Sequence, residues 1–367
     1  MTRMVLLNPG PVNVTDRVRN AMLRGDLCHR ESEFSDLLAS IRRKLTEIFG
    51  LEREYSAALI SGSGTAALEM AVSSCLSPGK TMLIIQNGVY GERIGQIAEA
   101  YRLNKHVLNY AWGTPPRLGD IEVALAENPD IEVVAMVHHE TTTGLINFLQ
   151  PVGELARRFQ KHFLVDGISS LAGDEIDFEK SHIDFFAGTA NKCIQGIPGV
   201  SFVLARNSEW PRLESIPKRS VYFDMHGYYV SQEQGGSPFT PAIPAHYALD
   251  EALNELREET VAGRILRYRS AAALLREGFL EMGLEFLIAE KYHSNSITAL
   301  KLPDGISYSH LHDHLKEKGF VIYAGQGGLS KKIFRIANMG DIREEEFKRF
   351  VKVLKECLCA SGKAQGR

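Results

Sequence analysis

Lys192 has the surroundings of an amine that reacts rather than of a charge that faces solvent. It lies in a segment rich in small residues, 188–199, between apolar stretches at 183–187 and 200–205. Burial lowers the pKa of an ammonium group and so frees the lone pair that attacks a carbonyl to form a Schiff base. The alternative interpretation is an exposed loop lysine, which fits most lysines taken alone.

Asp166 supports the reactive interpretation of Lys192. It ends the apolar stretch 162–166, 26 residues before the lysine. A carboxylate at the end of a buried strand is the anionic partner that a protonated pyridine nitrogen needs. The two residues together favour a site for a cofactor that carries a carbonyl and a pyridine ring.

A candidate phosphate-binding loop follows the first predicted strand of the sheet. Ser63, Gly64 and Thr65 come after strand 57–61 and open a predicted helix. Backbone N–H groups at a helix start, with the helix dipole behind them, bind phosphate well. An ordinary strand-to-helix turn explains the same residues. The sequence has neither the glycine pattern of dinucleotide-binding proteins nor the Gly-Lys-Ser/Thr of a P-loop.

Other candidate ligand-binding residues also follow predicted strands, where parallel sheets form their sites. Tyr90 follows strand 82–86 and can stack on a planar ring or pack in the core. The three threonines at 141–143 can bond a ring hydroxyl or form a polar turn. Thr240 is too isolated to interpret on its own.

Two arginines are candidates for binding a substrate anion. Arg335 interrupts the apolar run 333–337, and burying a guanidinium is costly unless an anion meets it. A substrate carboxylate or phosphonate is one such anion, and a structural ion pair is the alternative. Arg30 is the second candidate, although Glu31 or Glu33 can pair with it.

The histidines do not predict a metal site. His310, His312 and His314 alternate along a predicted helix, so they do not share a face. His138 and His139 are neighbours at a strand end, where successive side chains point to opposite sides. We therefore expect no metal.

The composition is that of an enzyme-sized globular protein. The chain has 367 residues, of which 44% are hydrophobic and 24% charged, and a net charge of −3. This charge argues against nucleic acid or an anionic membrane as the main partner. No signal peptide is expected, and no window holds the roughly 18 uninterrupted apolar residues of a membrane span. The five scattered cysteines predict free thiols in a reducing cytoplasm.

Strand and helix patterns alternate over the first two thirds of the chain, which predicts a parallel sheet. The predicted strands are 57–61, 82–86, 104–109, 132–138, 162–166, 184–188 and 199–205, and the helices between them are 65–76, 91–102, 119–127 and 151–160. A long helical stretch at 244–276 precedes apolar runs at 284–288, 296–301, 320–323 and 333–337 and helices at 308–318 and 343–358. The predicted parts are an N-terminal segment 1–20, a large domain 21–250, a small domain 251–360 and a disordered tail 361–367.

Together these segments resemble the fold-type I pyridoxal phosphate enzymes of the class V aminotransferase group. The resemblance covers nearly the whole chain, and its most specific motifs are Glu140-Thr-Thr-Thr-Gly144 and Asn191-Lys-Cys-Ile-Gln-Gly196. It implies an α/β fold, with a mainly parallel seven-stranded sheet in the large domain and a smaller α+β C-terminal domain. It also implies a pyridoxal 5′-phosphate cofactor and a homodimer that shares its active sites between subunits.

Within that group the chain is most similar to the aminotransferases that act on 2-aminoethylphosphonate and pyruvate. The implied products are phosphonoacetaldehyde and L-alanine. Lys192 is then the Schiff-base lysine, Asp166 the partner of the ring nitrogen, and Arg335 the residue that binds the substrate anion, with Arg30 as a further candidate. The implied cofactor contacts are Ser63, Gly64, Thr65, Asn191 and Thr240 of the partner subunit at the phosphate, Tyr90 and Ile168 on the ring faces, and Thr142 at the ring hydroxyl.

The sequence departs from the pattern at two places, and the second leaves the amino donor open. Gly167 stands where alanine is usual, and the segment 28–34 resembles alanine–glyoxylate and serine–glyoxylate aminotransferases. Those enzymes share the cofactor chemistry and are the nearest alternative. A non-catalytic pyridoxal phosphate-binding sensor domain is the alternative of another class. A cysteine desulfurase fits less well because Cys193 directly follows the lysine, and a nicotinamide oxidoreductase fits least.

Overall fold

A computed structural model describes residues 3–364 of the chain. Its strands, in chain order, are β1 (Val5–Leu6), β2 (Tyr55–Gly62), β3 (Thr81–Gln86), β4 (Asn104–Asn109), β5 (Ile131–Val137), β6 (His139–Glu140), β7 (Leu145–Ile146), β8 (His162–Asp166), β9 (Phe185–Thr189), β10 (Gly199–Arg206), β11 (Ile297–Lys301), β12 (Phe320–Val321), β13 (Tyr323–Ala324) and β14 (Ile333–Ala337).

The α-helices of the described chain alternate with the strands of the large sheet and then continue into the C-terminal part. They are α1 (Asp16–Ala21), α2 (Ser32–Glu47), α3 (Gly64–Ser74), α4 (Val89–Ala100), α5 (Leu118–Glu127), α6 (Leu149–Arg158), α7 (Trp210–Glu214), α8 (Met225–Glu233), α9 (Ile243–Glu259), α10 (Val261–Glu281), α11 (Tyr308–Glu317) and α12 (Glu344–Ala364).

The large sheet confirms the prediction of seven mainly parallel strands. Its spatial order is β2-β10-β9-β8-β5-β3-β4, and only β10 runs antiparallel to its neighbours. The parallel strands bring their carboxyl ends to one edge, so the segments after β3, β5 and β8 meet there. Because both faces of the sheet are covered, successive strand residues enter different cores: Phe163 and Val165 lie in one, and Leu164 in the other.

A third core belongs to the C-terminal part and also takes in the start of the chain. Val5 and Leu7 pack with residues of α10, α11 and α12. Strand β1 pairs in parallel with β12, while β11, β14 and β13 form a separate antiparallel sheet. The α+β character of this part is as predicted, and the domain boundaries stay predictions.

The predicted helical stretch 244–276 is wrong in one respect, because it is two helices. Thr260 separates α9 from α10 with φ +70°, and its hydroxyl accepts a hydrogen bond from Gly263 N at the start of α10. The apolar run 284–288 forms only a single bridge, Phe286 to Leu300, instead of a strand. Helix α12 includes 361–364 of the predicted tail, and 365–367 lie outside the described residues.

Two expectations concern features beyond the fold. No helix of the described chain has the length and apolar character needed to cross a membrane. No disulfide joins the cysteines in residues 3–364, and Cys28 and Cys359 are exposed.

Candidate active site

Lys192 lies in the turn between β9 and β10, and its side chain reaches under the N-terminal segment. Its Nζ donates a hydrogen bond to the carbonyl oxygen of Pro9. Gly10 lies against the same side chain, since a Cβ there would be 2.8 Å from Nζ. Burial lowers the pKa of Lys192 to about 8, so about a tenth of the amine is neutral and nucleophilic near pH 7, far more than for an exposed lysine.

Asp166 ends β8 and has one oxygen available for a ligand. Its Oδ1 accepts a hydrogen bond from Ile168 N at 3.0 Å, whereas Oδ2 is buried and has no partner in the described chain. Burial raises the pKa of Asp166 to about 7. A buried acceptor without a donor is costly, and a protonated ring nitrogen supplies that donor. The residue therefore fits its predicted role opposite a pyridine ring.

Gly167, which departs from the family pattern, has a packing explanation. A Cβ at this position would lie 1.7 Å from the ring of Phe186 on the neighbouring strand β9. The Phe186 ring occupies the space that an alanine methyl group at position 167 would need. Glycine therefore fits here without displacing Asp166.

The candidate phosphate loop begins helix α3 as predicted. Ser63 precedes the helix, is exposed and makes no side-chain cap hydrogen bond. Gly64 is buried against Ile168, because a Cβ there would lie 2.9 Å from Ile168 Cγ2. Ile168 is therefore placed between the loop and Asp166. The free N–H groups of a helix start and the hydroxyls of Ser63 and Thr65 are the kinds of donor that bind a phosphate, and this role stays a prediction.

Tyr90 and Thr142 are held by a carboxylate whose importance the sequence did not indicate. Glu140 is fully buried and accepts hydrogen bonds from Tyr90 N at 3.2 Å, Gly91 N at 3.1 Å and the Thr142 hydroxyl at 2.6 Å. The Thr142 hydroxyl also accepts from Val89 N at 3.0 Å. The Thr142 hydroxyl already donates its proton to Glu140 and does not have it free for a ligand. The predicted contact of Thr142 with a ring hydroxyl therefore stays a prediction.

The other two predicted phosphate contacts are placed differently. Asn191 directly precedes Lys192, and its Oδ1 accepts a hydrogen bond from the Thr189 hydroxyl at 2.9 Å. Thr240 is exposed on its own chain. Two residues later, Ala242 N donates to Ser61 Oγ at 2.9 Å, which brings this segment beside the start of the phosphate loop.

Arg335 is buried in β14 with 2% of its surface exposed. Its Nε donates to Ala324 O at 2.9 Å, and its Nη1 donates to Thr141 O at 2.9 Å and to Gln326 Oε1 at 3.4 Å. All these acceptors are neutral, and within residues 3–364 no ion pair involves this arginine. Burial lowers the pKa of Arg335. The described residues therefore show no structural ion pair for Arg335, and its role in binding a substrate anion stays a prediction.

Arg30 is not brought to this site within one chain. It is exposed in the turn before α2. In the part of the chain that the structure describes, neither Glu31 nor Glu33 forms an ion pair with it, and no hydrogen bond links it to Lys192 or Arg335. Its predicted role in substrate binding stays a prediction.

Two of the histidines are core residues, and a third belongs to a cluster away from the candidate site. His138 and His139 are both buried, and burial lowers their pKa values to about 4 and about 3. A cluster of His162, Asp184 and Glu209 has the spacing of a metal site. It lies at the opposite, amino-terminal ends of β8 and β9, and Arg212 already pairs with Glu209 at 2.9 Å.

Comparison with known proteins identifies the family. The model of the class V aminotransferases matches residues 16–342. A 2-aminoethylphosphonate–pyruvate transaminase of Bacillus mycoides is 36% identical over 353 residues, covering 95% of this chain and 96% of the relative.

Solved structures agree with the sequence relatives. The ureidoglycine–glyoxylate aminotransferase of Bacillus subtilis superposes with a TM-score of 0.92 at 28% identity, covering 99% of this chain and 94% of that one. The alanine–glyoxylate aminotransferase of Nostoc has a TM-score of 0.91 at 27% identity, with 98% and 96% covered. The chain belongs to the class V aminotransferase family, a group of fold-type I enzymes that depend on pyridoxal 5′-phosphate.

Proposed function

We propose that this protein transfers the amino group of 2-aminoethylphosphonate to pyruvate, giving phosphonoacetaldehyde and L-alanine. The observation that carries the proposal is a buried Arg335 without an acidic partner in the same site as Lys192. Burial is the main cause of the lowered pKa of Lys192, and the charge of Arg335 lowers that pKa further. The names of relatives at 34–36% identity support the choice of substrates.

The residues divide the chemistry between them. Pyridoxal phosphate, when bound, supplies an aldehyde for the amine and a ring that accepts an electron pair. Lys192 Nζ would hold the cofactor, and once free it would take a proton from the substrate carbon that bears the nitrogen. Asp166 Oδ2 would hold the proton at the ring nitrogen. Lys192 Nζ would then give up its proton again, and the same residues would act in the reverse order with pyruvate.

Arg335 serves both half-reactions because its planar donors suit a phosphonate and a carboxylate equally. We propose that the remaining family contacts also hold here. The phosphate is then bound by Ser63, Gly64, Thr65, Asn191 and Thr240 of the partner subunit, the ring faces by Tyr90 and Ile168, and the ring hydroxyl by Thr142.

We propose further that the enzyme works as a homodimer in the cytoplasm. Thr240 is exposed on its own chain, where it is accessible to a second subunit. Exposed thiols at Cys28 and Cys359 are compatible with a reducing compartment.

An amino-donor panel tests the proposed substrates. The purified protein, loaded with cofactor, is given pyruvate and one donor at a time, and L-alanine is measured. We expect 2-aminoethylphosphonate to be the best donor. The second candidate is an alanine– or serine–glyoxylate aminotransferase, favoured by the structural similarity to the Nostoc enzyme. Faster turnover of alanine or serine with glyoxylate would establish that alternative and refute the proposal.

A further inference from the structure

Arg93 is a charged residue of the site that none of the predicted contacts includes. It lies in the second turn of α4, and its side chain is half-buried. Its Nη1 donates a hydrogen bond to Thr65 Oγ1 at 3.2 Å. Its guanidinium carbon lies 4.7 Å from the centre of the Tyr90 ring. Arg93 therefore contacts both the candidate phosphate loop and the candidate stacking ring.

The charge of Arg93 has no counterion within the described residues. Its hydrogen-bond acceptor is a neutral hydroxyl, and no ion pair forms with it in residues 3–364. The charge of Arg93 nevertheless affects the pKa values of other groups in the site. Burial is the main cause of the shifted pKa values of Asp166 and Lys192, and the positive charge of Arg93 lowers both. A half-buried guanidinium held in this way is suited to meet an anion.

The geometry also leaves donors for that anion. Because Thr65 Oγ1 accepts from Arg93, its own proton is available to a ligand. The N–H groups at the start of α3 are further donors, yet they are neutral, whereas a phosphate or phosphonate group carries close to two negative charges at neutral pH. The Arg93 guanidinium beside these donors neutralises part of the negative charge of that phosphate or phosphonate group.

We propose that Arg93 binds a phosphate-type dianion in this site, as a second anion-binding arginine beside Arg335. The ligand is the phosphate of the cofactor or the phosphonate of the substrate, two sources with the same chemistry. The contact with Thr65 favours the cofactor. If Arg93 binds the phosphonate of the substrate, the inference rests on the proposed function. If it binds the phosphate of the cofactor, the inference requires only that the chain belongs to the family.

The test compares Arg93→Gln with wild type in cofactor-free protein. Pyridoxal 5′-phosphate and pyridoxal, which lacks the phosphate, are titrated in parallel by protein fluorescence. If the cofactor is the source, the variant loses affinity for pyridoxal phosphate by about 10-fold or more while pyridoxal binds as before. Arg93→Lys keeps the charge and should recover part of the loss. Arg157→Gln, which removes an exposed arginine from α6, is the matched control.

The second arm measures KM in cofactor-saturated protein. If the substrate is the source, KM for 2-aminoethylphosphonate rises in Arg93→Gln, KM for alanine in the reverse reaction stays constant, and the preference for pyridoxal phosphate over pyridoxal is unchanged. Equal weakening of both cofactor forms, or no change in either arm, overturns the proposal and leaves Arg93 as a support for the Tyr90 ring. If the protein does not turn over 2-aminoethylphosphonate, the proposed function is refuted. The cofactor titration would still test whether Arg93 binds the cofactor phosphate.

Discussion

At the residue scale, Lys192 is the group on which the reaction depends. General acid–base catalysis contributes about 10²–10⁴-fold, so Lys192→Ala should lower turnover by at least that factor. Borohydride treatment of the cofactor-loaded protein, followed by peptide mass mapping, should place the cofactor label on Lys192 and on no residue in the variant. Lys80→Ala, at an exposed turn, should behave as wild type. Active protein without a label at Lys192 would contradict the assignment.

Asp166 couples function to stability through its proton. Its pKa is about 7 in the folded chain and 3.8 in the reference state, so the folded protein binds more protons in this window, and stability falls as the pH rises through it. Cofactor-free Asp166→Asn should therefore match wild type near pH 4 and exceed its unfolding free energy at pH 8 by about 1 kcal/mol or more. The same variant should lose turnover.

Urea unfolding at the two pH values measures this difference. Asp304→Asn, at an exposed turn, is the control and should show no pH-dependent gain. A variant that is less stable than wild type at pH 8 would show that Asp166 Oδ2 has a stabilising partner, contrary to the structure described here.

At the element scale, the start of α4 depends on a carboxylate from another segment. Glu140 accepts from Tyr90 N and Gly91 N, which are among the orphan donors of the helix. Glu140→Gln keeps the shape but replaces one acceptor oxygen by a donor, and a buried N–H group left without its acceptor costs about 1–3 kcal/mol. We expect a loss of that size in urea unfolding and faster amide hydrogen exchange at 89–92. Unchanged exchange at 89–92 would be evidence against this role.

The loop after β1 acts on the reactive lysine through one glycine. Gly10 has φ +100°, and a Cβ there would lie 2.8 Å from Lys192 Nζ. Gly10→Ala should destabilise the protein by about 1–3 kcal/mol and reduce borohydride labelling of Lys192, because the side chain is displaced. Gly25→Ala is the matched control, since nothing lies within 4 Å of its Cβ position. Equal labelling of the two variants would rule out the steric role.

The sequence predicted the strands of the large sheet well because most of them are short apolar runs buried on both faces, as in β5 and β8. It also located Lys192, Asp166 and Arg335, which interrupt or end such runs. The break at Thr260 was missed because no glycine or proline marks it. Glu140 and Arg93 were missed because their roles come from contacts between distant segments. For Arg93, the helical i,i+3 spacing from Tyr90 was the available signal.

At the scale of the whole molecule, the proposed dimer has a direct genetic test. If Thr240 acts in the site of the partner subunit, a mixed dimer of Lys192→Ala and Thr240→Ala has one site with both defects and one with neither. Co-expression should therefore restore activity well above that of either variant alone. The control is co-expression of Lys192→Ala with itself, which should stay inactive. Failure of the mixed dimer to regain activity would place Thr240 in its own subunit's site or outside it.

The parallel pairing of Val5 with Phe320 has a consequence for how the chain can be modified. Only a few residues separate that strand from Pro9, whose carbonyl oxygen accepts a hydrogen bond from Lys192 Nζ. The segment that covers the reactive amine is thus attached to the C-terminal third of the protein. A truncation or bulky fusion at the amino end would disturb two distant places at once.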